Sequence, residues 1–382
     1  MNIKKILIGC CIALAIVFIL AIIGGFFAYR YFISPFLCGQ LEMPKELDTP
    51  RVTAGSDFLL KRLFLQDSRL GTITDIVTGE LDPSPESEIG IAGSKGALFV
   101  DANSNVKSSV MFNSRTEHVD IIDVDADGIC EFINRGSWGC DASLIDHNGN
   151  TIWTYGGMPS VDDMCAGDID GDGTVEFVVG FNGGGGVHLL DKDGKKKWKQ
   201  SDGNVWHVEL VDTNGDGRLE IVHSNAGGYI TVRDKEGEII SQLAPSPYFS
   251  HFSLCKWPTK NDREYALLSE NDTIWLFDFD AKTVAQFKAP KCGTLGHARG
   301  TPVKIRSGQP EYLAVIVEFR NWQKSILYVY NPAGKLVYQE ILSEACASIA
   351  AVSLDKSERE TILIGGVGKV WQYKVQDATN NE

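Results

Sequence analysis

Three stretches of the chain place oxygen ligands at alternate positions and close on a glutamate. They are Asp123, Asp125, Asp127 and Glu131; Asp168, Asp170, Asp172 and Glu176; and Asp212, Asn214, Asp216 and Glu220. Such side chains converge on one cation if the backbone turns sharply at the glycine that follows the third of them (Gly128, Gly173, Gly217), where a nearby carbonyl adds a further oxygen. An all-oxygen shell of this kind suits a hard cation, so the reading is Ca2+ in two to three structural sites, the third weakened by Asn214. An EF-hand needs a carboxylate at position twelve, where the chain has Asn134, Val179 and His223. Turn chemistry alone also favours Asp and Gly, so a metal-free Asx-rich turn is the competing reading.

The three loops are copies of one unit. Each glutamate leads into an apolar run, then a Gly-rich turn, an alternating strand and an Asp/Asn-Gly or Glu-Gly turn, with Trp153 and Trp198 both 22 residues after their glutamates. Four further copies keep the glutamate and the apolar run without the acidic loop, at Glu88, Glu264, Glu311 and Glu360. The seven glutamates stand 43, 45, 44, 44, 47 and 49 residues apart. A period of 40 to 50 residues with about four short strands per unit is that of a β-propeller, and seven units predict seven blades. Two β-sandwiches would alternate similarly but have no reason to keep one period through seven units. Ring closure is expected from Phe58 to Leu65, a strand-like segment before the first repeat that completes the seventh blade.

On these loops and the strand after each, the sequence resembles the FG-GAP and VCBS calcium-loop propeller repeats, related to the blades of integrin α-subunit heads. The Phe-Gly and Gly-Ala-Pro elements of that family are absent, and its usual final Asp is Glu here. The resemblance implies a binding, scaffolding or adhesion module with calcium in its loops.

A second pattern lies thirteen residues before each glutamate, at the start of the strand expected to be innermost. It reads Asp75, His118, Asp163, His207, His251, Ala298 beside His297, and Ala347, in a chain with only seven histidines. This register predicts a partial ring of imidazoles and carboxylates at one mouth of the central channel, with Trp206, Arg299 and Tyr155 as neighbours. His118, Asp163, His207, His251, His297, Arg299 and Trp206 are thus ligand-binding candidates. Were the protein an enzyme, a polysaccharide lyase or hydrolase acting at the channel mouth, His118, Asp163, His207 and His251 would be its acid–base candidates. Hydrogen bonding between blades is the structural alternative. The chain has no GxSxG elbow or HExxH, and Gly183 to Gly186 leads into a strand, unlike a phosphate loop.

Residues 6–28 carry no charge and as a helix would extend roughly 34 Å, enough for a hydrocarbon core of about 30 Å. Lys4 and Lys5 precede the run, predicting a cytoplasmic N-terminus and an extracytoplasmic propeller, periplasmic or at the cell surface. The expected fold is all-β, a seven-bladed propeller preceded by a single N-terminal transmembrane helix. Its parts are a cytoplasmic tip at 1–5, the membrane anchor at 6–28, a juxtamembrane linker at 29–57, the propeller at 58–375 and a polar tail at 376–382. The net charge is −14, with 33 basic against 50 acidic side chains beyond residue 30, which excludes nucleic-acid binding through phosphate contacts. The expected partners are the membrane, through the helix, and a protein or glycan.

Overall fold

The computed structural model describes residues 16–27, 51–52, 59–79, 88–137, 140–245, 248–257, 263–270, 273–288, 297–319, 323–355 and 358–375. Its strands form seven antiparallel sheets, built in chain order from the channel outward except that the outermost strands of blades 6 and 7 come from the start of the chain. Blades 1 to 4 begin with the innermost strands Ile73–Gly79, Val119–Ile122, Val161–Gly167 and Val205–Val211; blades 5 to 7 begin with Ser253–Cys255, Ala298–Val303 and Ser348–Val352. Among the described residues the apolar side chains fall into seven clusters, one at each blade interface. Each sheet hides both faces against its neighbours, so second strands such as Glu176–Phe181 are buried at every position. That accounts for the apolar run after each glutamate.

Three of the repeat glutamates act as latches. Oε2 of Glu131, Glu176 and Glu220 accepts the backbone N–H of Val124, Ile169 and Thr213, the second residue of each acidic loop, at 3.1, 3.4 and 2.9 Å. The outer hairpins repeat as regularly. Oδ1 of Asp101, Asp146, Asp191, Asp278 and Asn331 accepts the N–H groups two and four residues on, at distances of 2.7 to 3.1 Å. Trp153 and Trp198 tie blades together, donating from Nε1 to the carbonyls of Lys192 and Lys235 in the next blade's hairpin, at 3.1 and 2.8 Å. Gly194, at φ +74°, leaves room for the first of these, because a Cβ there would lie 2.7 Å from the Trp153 ring.

The ring closes where expected. Leu59–Gln66 is the outermost strand of blade 7, antiparallel to Lys369–Val375. Arg51–Val52, from the expected linker, adds a fifth strand to blade 6 by pairing with Gln339 and Tyr338. Lys61 reinforces the junction with an ion pair to Glu340 at 2.9 Å and a contact over the Trp371 ring at 4.6 Å.

The transmembrane expectation is corrected. The helix is described over residues 16–27, about 18 Å at 1.5 Å per residue and well short of a hydrocarbon core of about 30 Å. Among the described residues no helix is long and apolar enough to cross a membrane. The single-pass topology inferred from 6–28, with its cytoplasmic N-terminus, extracytoplasmic propeller and membrane partner, loses its basis accordingly. Apolar composition alone permits a spanning helix, whereas crossing also requires a helix of sufficient length, which the described residues do not provide. Residues 1–5, 6–15, 28 and the tail at 376–382 lie outside the described residues.

Candidate functional site

Three innermost strands open with the same irregularity. Their pairing register slips between Ile73 and Asp75, between Val161 and Asp163, and between Val205 and His207, leaving Thr74, Asp162 and Trp206 as bulged residues. A bulge bends the strand and re-aims its side chains. All three bulged residues line one cavity of about 680 Å³ at the mouth of the channel. The register residues His118, Asp163, His207, His251 and His297 line it as well, and so does Arg299. Ala298 and Ala347 complete the same wall. Asp75 lies behind the wall and accepts the N–H of Ile121 at 3.0 Å. Tyr155 is elsewhere, on the outer strand of blade 2, with its hydroxyl 2.8 Å from His188 Nδ1.

The imidazoles share this space. The His251 and His297 rings are 4.3 Å apart and edge-on, and the His207 and His251 centroids are 6.3 Å apart. Trp206 lies nearly parallel to His251, at 6.1 Å and 11°.

The centre of the site is Arg135, which the sequence pattern did not single out. Its guanidinium donates to Asp163 Oδ1 and Oδ2 at 2.8 and 3.1 Å, Asp120 Oδ2 at 3.1 Å, Glu209 Oε1 at 2.9 Å and the Val208 carbonyl at 3.3 Å. His207 Nδ1 pairs with Asp163, and its Nε2 lies 3.2 Å from Glu209 Oε1. Asp163 Oδ2 also accepts the N–H of Val208 at 3.1 Å, so blades 2, 3 and 4 meet on one carboxylate. A signal for Arg135 exists in the repeat. Four residues after each glutamate the other copies have Ala92, Gly180, Ser224, Leu268, Val315 and Ile364, and a lone arginine in that small or apolar register requires a partner.

Charge follows from this geometry. Burial alone would raise the Asp163 pKa, but Arg135 and His207 overrule it and hold the carboxyl well below its ordinary range. Burial would lower His207, yet its ion pairs with Asp163 and Glu209 lift it to about 9, so it is a cation at neutral pH. His118 behaves oppositely: burial, then the Arg299 charge, take it down to about 4, leaving a neutral imidazole. Burial is also the main reason why Asp75 and Asp120 are shifted upward, the adjacent Asp120 adding to the shift of Asp75.

The acidic loops fit a cation unequally. In the first, oxygen atoms of Asp123, Asp125 and Glu131 lie within 4.8 Å of one another, and in the second so do those of Asp168, Asp170 and Glu176. Burial first, and then the surrounding loop aspartates, push Glu131 upward, against the N–H of Val124 that favours its charged form. In the second loop the Lys197 ammonium lies 3.1 Å from Glu176 and 3.6 Å from Asp170. Asp127 and Asp172 instead turn back to the N–H groups of Ile129 and Thr174, at 2.7 and 2.8 Å. The third loop is closed by its own hydrogen bonds. Asn214 donates to Glu220 Oε1 at 3.2 Å, Asp216 accepts from Arg218 at 2.9 Å, and Asp212 accepts backbone N–H groups on both oxygens.

Residues 168–223, which hold the second loop and the third, match the family profile described as the FG-GAP-like repeat. The chain is a seven-bladed β-propeller that carries an FG-GAP-like repeat. No curated protein matches it. Among solved structures, the propeller is similar to BBS1N from its complex with ARL6DN in crystals soaked with lead, with 13% identity, a TM-score of 0.56, and 84% of this chain and 99% of that one covered. Streptogramin B lyase is similar at 8% identity and a TM-score of 0.57, covering 84% and 98%. The WD40 domain of Neurospora crassa Pan2 is similar at 12% and 0.51, covering 86% and 98%. At such identities the likeness concerns the fold alone. A propeller carrying an FG-GAP-like repeat is suited to protein binding or scaffolding, and two of its acidic clusters have the geometry to hold a metal ion.

Proposed function

We propose that this propeller is a binding module that offers the mouth of its channel to a protein or glycan ligand, with calcium bracing the loops at 123–131 and 168–176. The observation that carries the reading is the convergence of His118, Asp163, His207, His251 and His297, from five consecutive blades, on one cavity. Two fixed ionic states, anionic Asp163 and cationic His207, favour a recognition surface over acid–base catalysis, which needs groups that exchange protons near the working pH. BBS1N, which has a similar fold, is in complex with a protein, ARL6DN, in its crystals. When bound, calcium would be held by Asp123, Asp125 and Glu131 in one loop and by Asp168, Asp170 and Glu176 in the other, neutralising carboxylates that otherwise repel. The test is a glycan array and an affinity capture with the calcium-loaded protein, repeated with His251→Ala/His297→Ala. The ligand found with the parent is expected to be lost from the folded double variant, and its full retention would refute the channel-mouth reading.

A further inference from the structure

We infer that the cavity at the channel mouth binds an acidic sugar residue, with the sugar carboxylate on Arg299 and the sugar ring against Trp206. This inference rests on the proposed binding role of that mouth and names the class of ligand. Its starting point is the unequal state of the two arginines in the wall. Arg135 spends its donors on Asp163, Asp120, Glu209 and a carbonyl. Arg299 lines the same cavity and, among the described residues, its guanidinium makes no hydrogen bond or ion pair. Burial, and then the nearby Arg135 charge, lower its proton affinity against the opposing pull of Glu318, Asp120 and Asp163, none of which reaches it as an ion pair, so its donors are open to a ligand anion.

The remaining wall selects among anions. Asp162 and Glu318 line the cavity as hydrogen-bond acceptors, and the chain carries a net charge of −14. A peptide or polymer with several carboxylates would meet repulsion from these groups. A uronic acid residue has one carboxylate for Arg299, several hydroxyl donors for Asp162 and Glu318, and an apolar ring face for the half-buried indole of Trp206. The cavity volume of about 680 Å³ is within the range of pockets that enclose a small ligand, consistent with a single terminal residue and not a long polyanion.

The experiment is calorimetric titration of the purified full chain, with saturation-transfer NMR, using glucuronic acid, a glucuronic-acid-terminated disaccharide, cellobiose and tetraglutamate. Both uronides are expected to bind, cellobiose to bind at least about ten-fold more weakly, and tetraglutamate not to bind. Folded Arg299→Gln should lose at least about ten-fold in affinity for the uronides, the loss expected for a charged hydrogen bond. Trp206→Ala should remove saturation transfer to the sugar ring protons. If Arg299→Gln does not fold, the salt dependence of the parent carries the test, because pairing on Arg299 requires affinity to fall as salt rises. The inference is overturned if neither uronide binds, if cellobiose binds equally well, if only tetraglutamate binds, or if Arg299→Gln binds like the parent. A protein or neutral glycan held at the channel mouth without uronide binding would overturn this inference and leave the broader binding role standing.

Discussion

Replacing Arg135 by methionine keeps the side-chain stem and removes the charge that three carboxylates share. Asp120, Asp163 and Glu209 each receive a guanidinium hydrogen bond of 2.8 to 3.1 Å, and with Arg135 gone His207 is left as the cation paired with Asp163 and Glu209, while Arg299 acts on Asp120 and Asp163 without an ion pair among the described residues. Breaking a buried ion pair by removing one partner costs about 3–5 kcal/mol, because the surviving charge is left uncompensated. Asp120 limits the loss, since it is already shifted upward and can take a proton at modest expense. The expected destabilisation is therefore about 3 kcal/mol at pH 7, a fall in melting temperature of roughly 4–5 °C for a domain of this size. Differential scanning calorimetry at pH 7 and pH 5 measures it. The deficit should shrink at pH 5 as the orphaned carboxylates protonate, and Arg135→Lys, which reaches fewer acceptors, should fall between parent and Arg135→Met. A methionine variant melting within about 2 °C of the parent at both pH values would refute the account of Arg135 as the junction of blades 2, 3 and 4.

His207 supplies a pH dependence of known sign. Its pKa rises from 6.5 to about 9 in the folded protein, so its contribution, at most about 3 kcal/mol, is fully present below pH 6.5 and lost as pH climbs through 9. The stability gap between parent and His207→Gln in urea titrations should narrow from pH 6.5 to pH 9.5; a constant gap would contradict it. Calcium should raise the melting temperature, with Asp125→Asn and Asp170→Asn each removing one bound ion by equilibrium dialysis and Asp216→Ala removing none. Two ions still bound to Asp125→Asn, or no binding by the parent, would count against the loop assignment. Deleting residues 59–66 should expose the edge of Lys369–Val375, lower the melting temperature and produce oligomers on size-exclusion chromatography; a stable monomer would show that blade 7 does not need its fourth strand.

The blade count was legible because each repeat places its glutamate at the same point, at or just before the start of the second strand, and in blades 2, 3 and 4 that glutamate holds the loop before it. The closing strand was legible because blade 7 lacked an outer strand and Leu59–Gln66 was apolar enough to supply it. The spacing of the imidazole and carboxylate register brings its residues to one cavity wall, except Asp75, which does not line it. Arg135 escaped notice because it follows the strand opposite His118 and belongs to a different register, and only the fold brings the two together. The bulges at Thr74, Asp162 and Trp206 could not be read from alternation, since each breaks the alternation that would reveal it. The membrane helix failed for a related reason. Apolar composition reports what a segment can tolerate, whereas the repeats were read from spacing, which reports what a segment must contact.

The closure of blade 7 also sets how the ring responds to force. Leu59 pairs with Val375 at one end of the ladder, and Gln66 pairs with Lys369 at the other. The polypeptide thus enters the outer strand and leaves its partner at the same rung. Tension applied through the segments before residue 59 and after residue 375 would fall on that single rung and open the ladder one pair at a time, as a zipper opens, without shearing its rungs together. Ahead of it in the chain, Arg51–Val52 grips blade 6, so a pull from the N-terminal side meets this two-residue clip first. A ring that resists heat through seven packed interfaces is in this direction mechanically compliant, and under load the seventh blade would be the first to part.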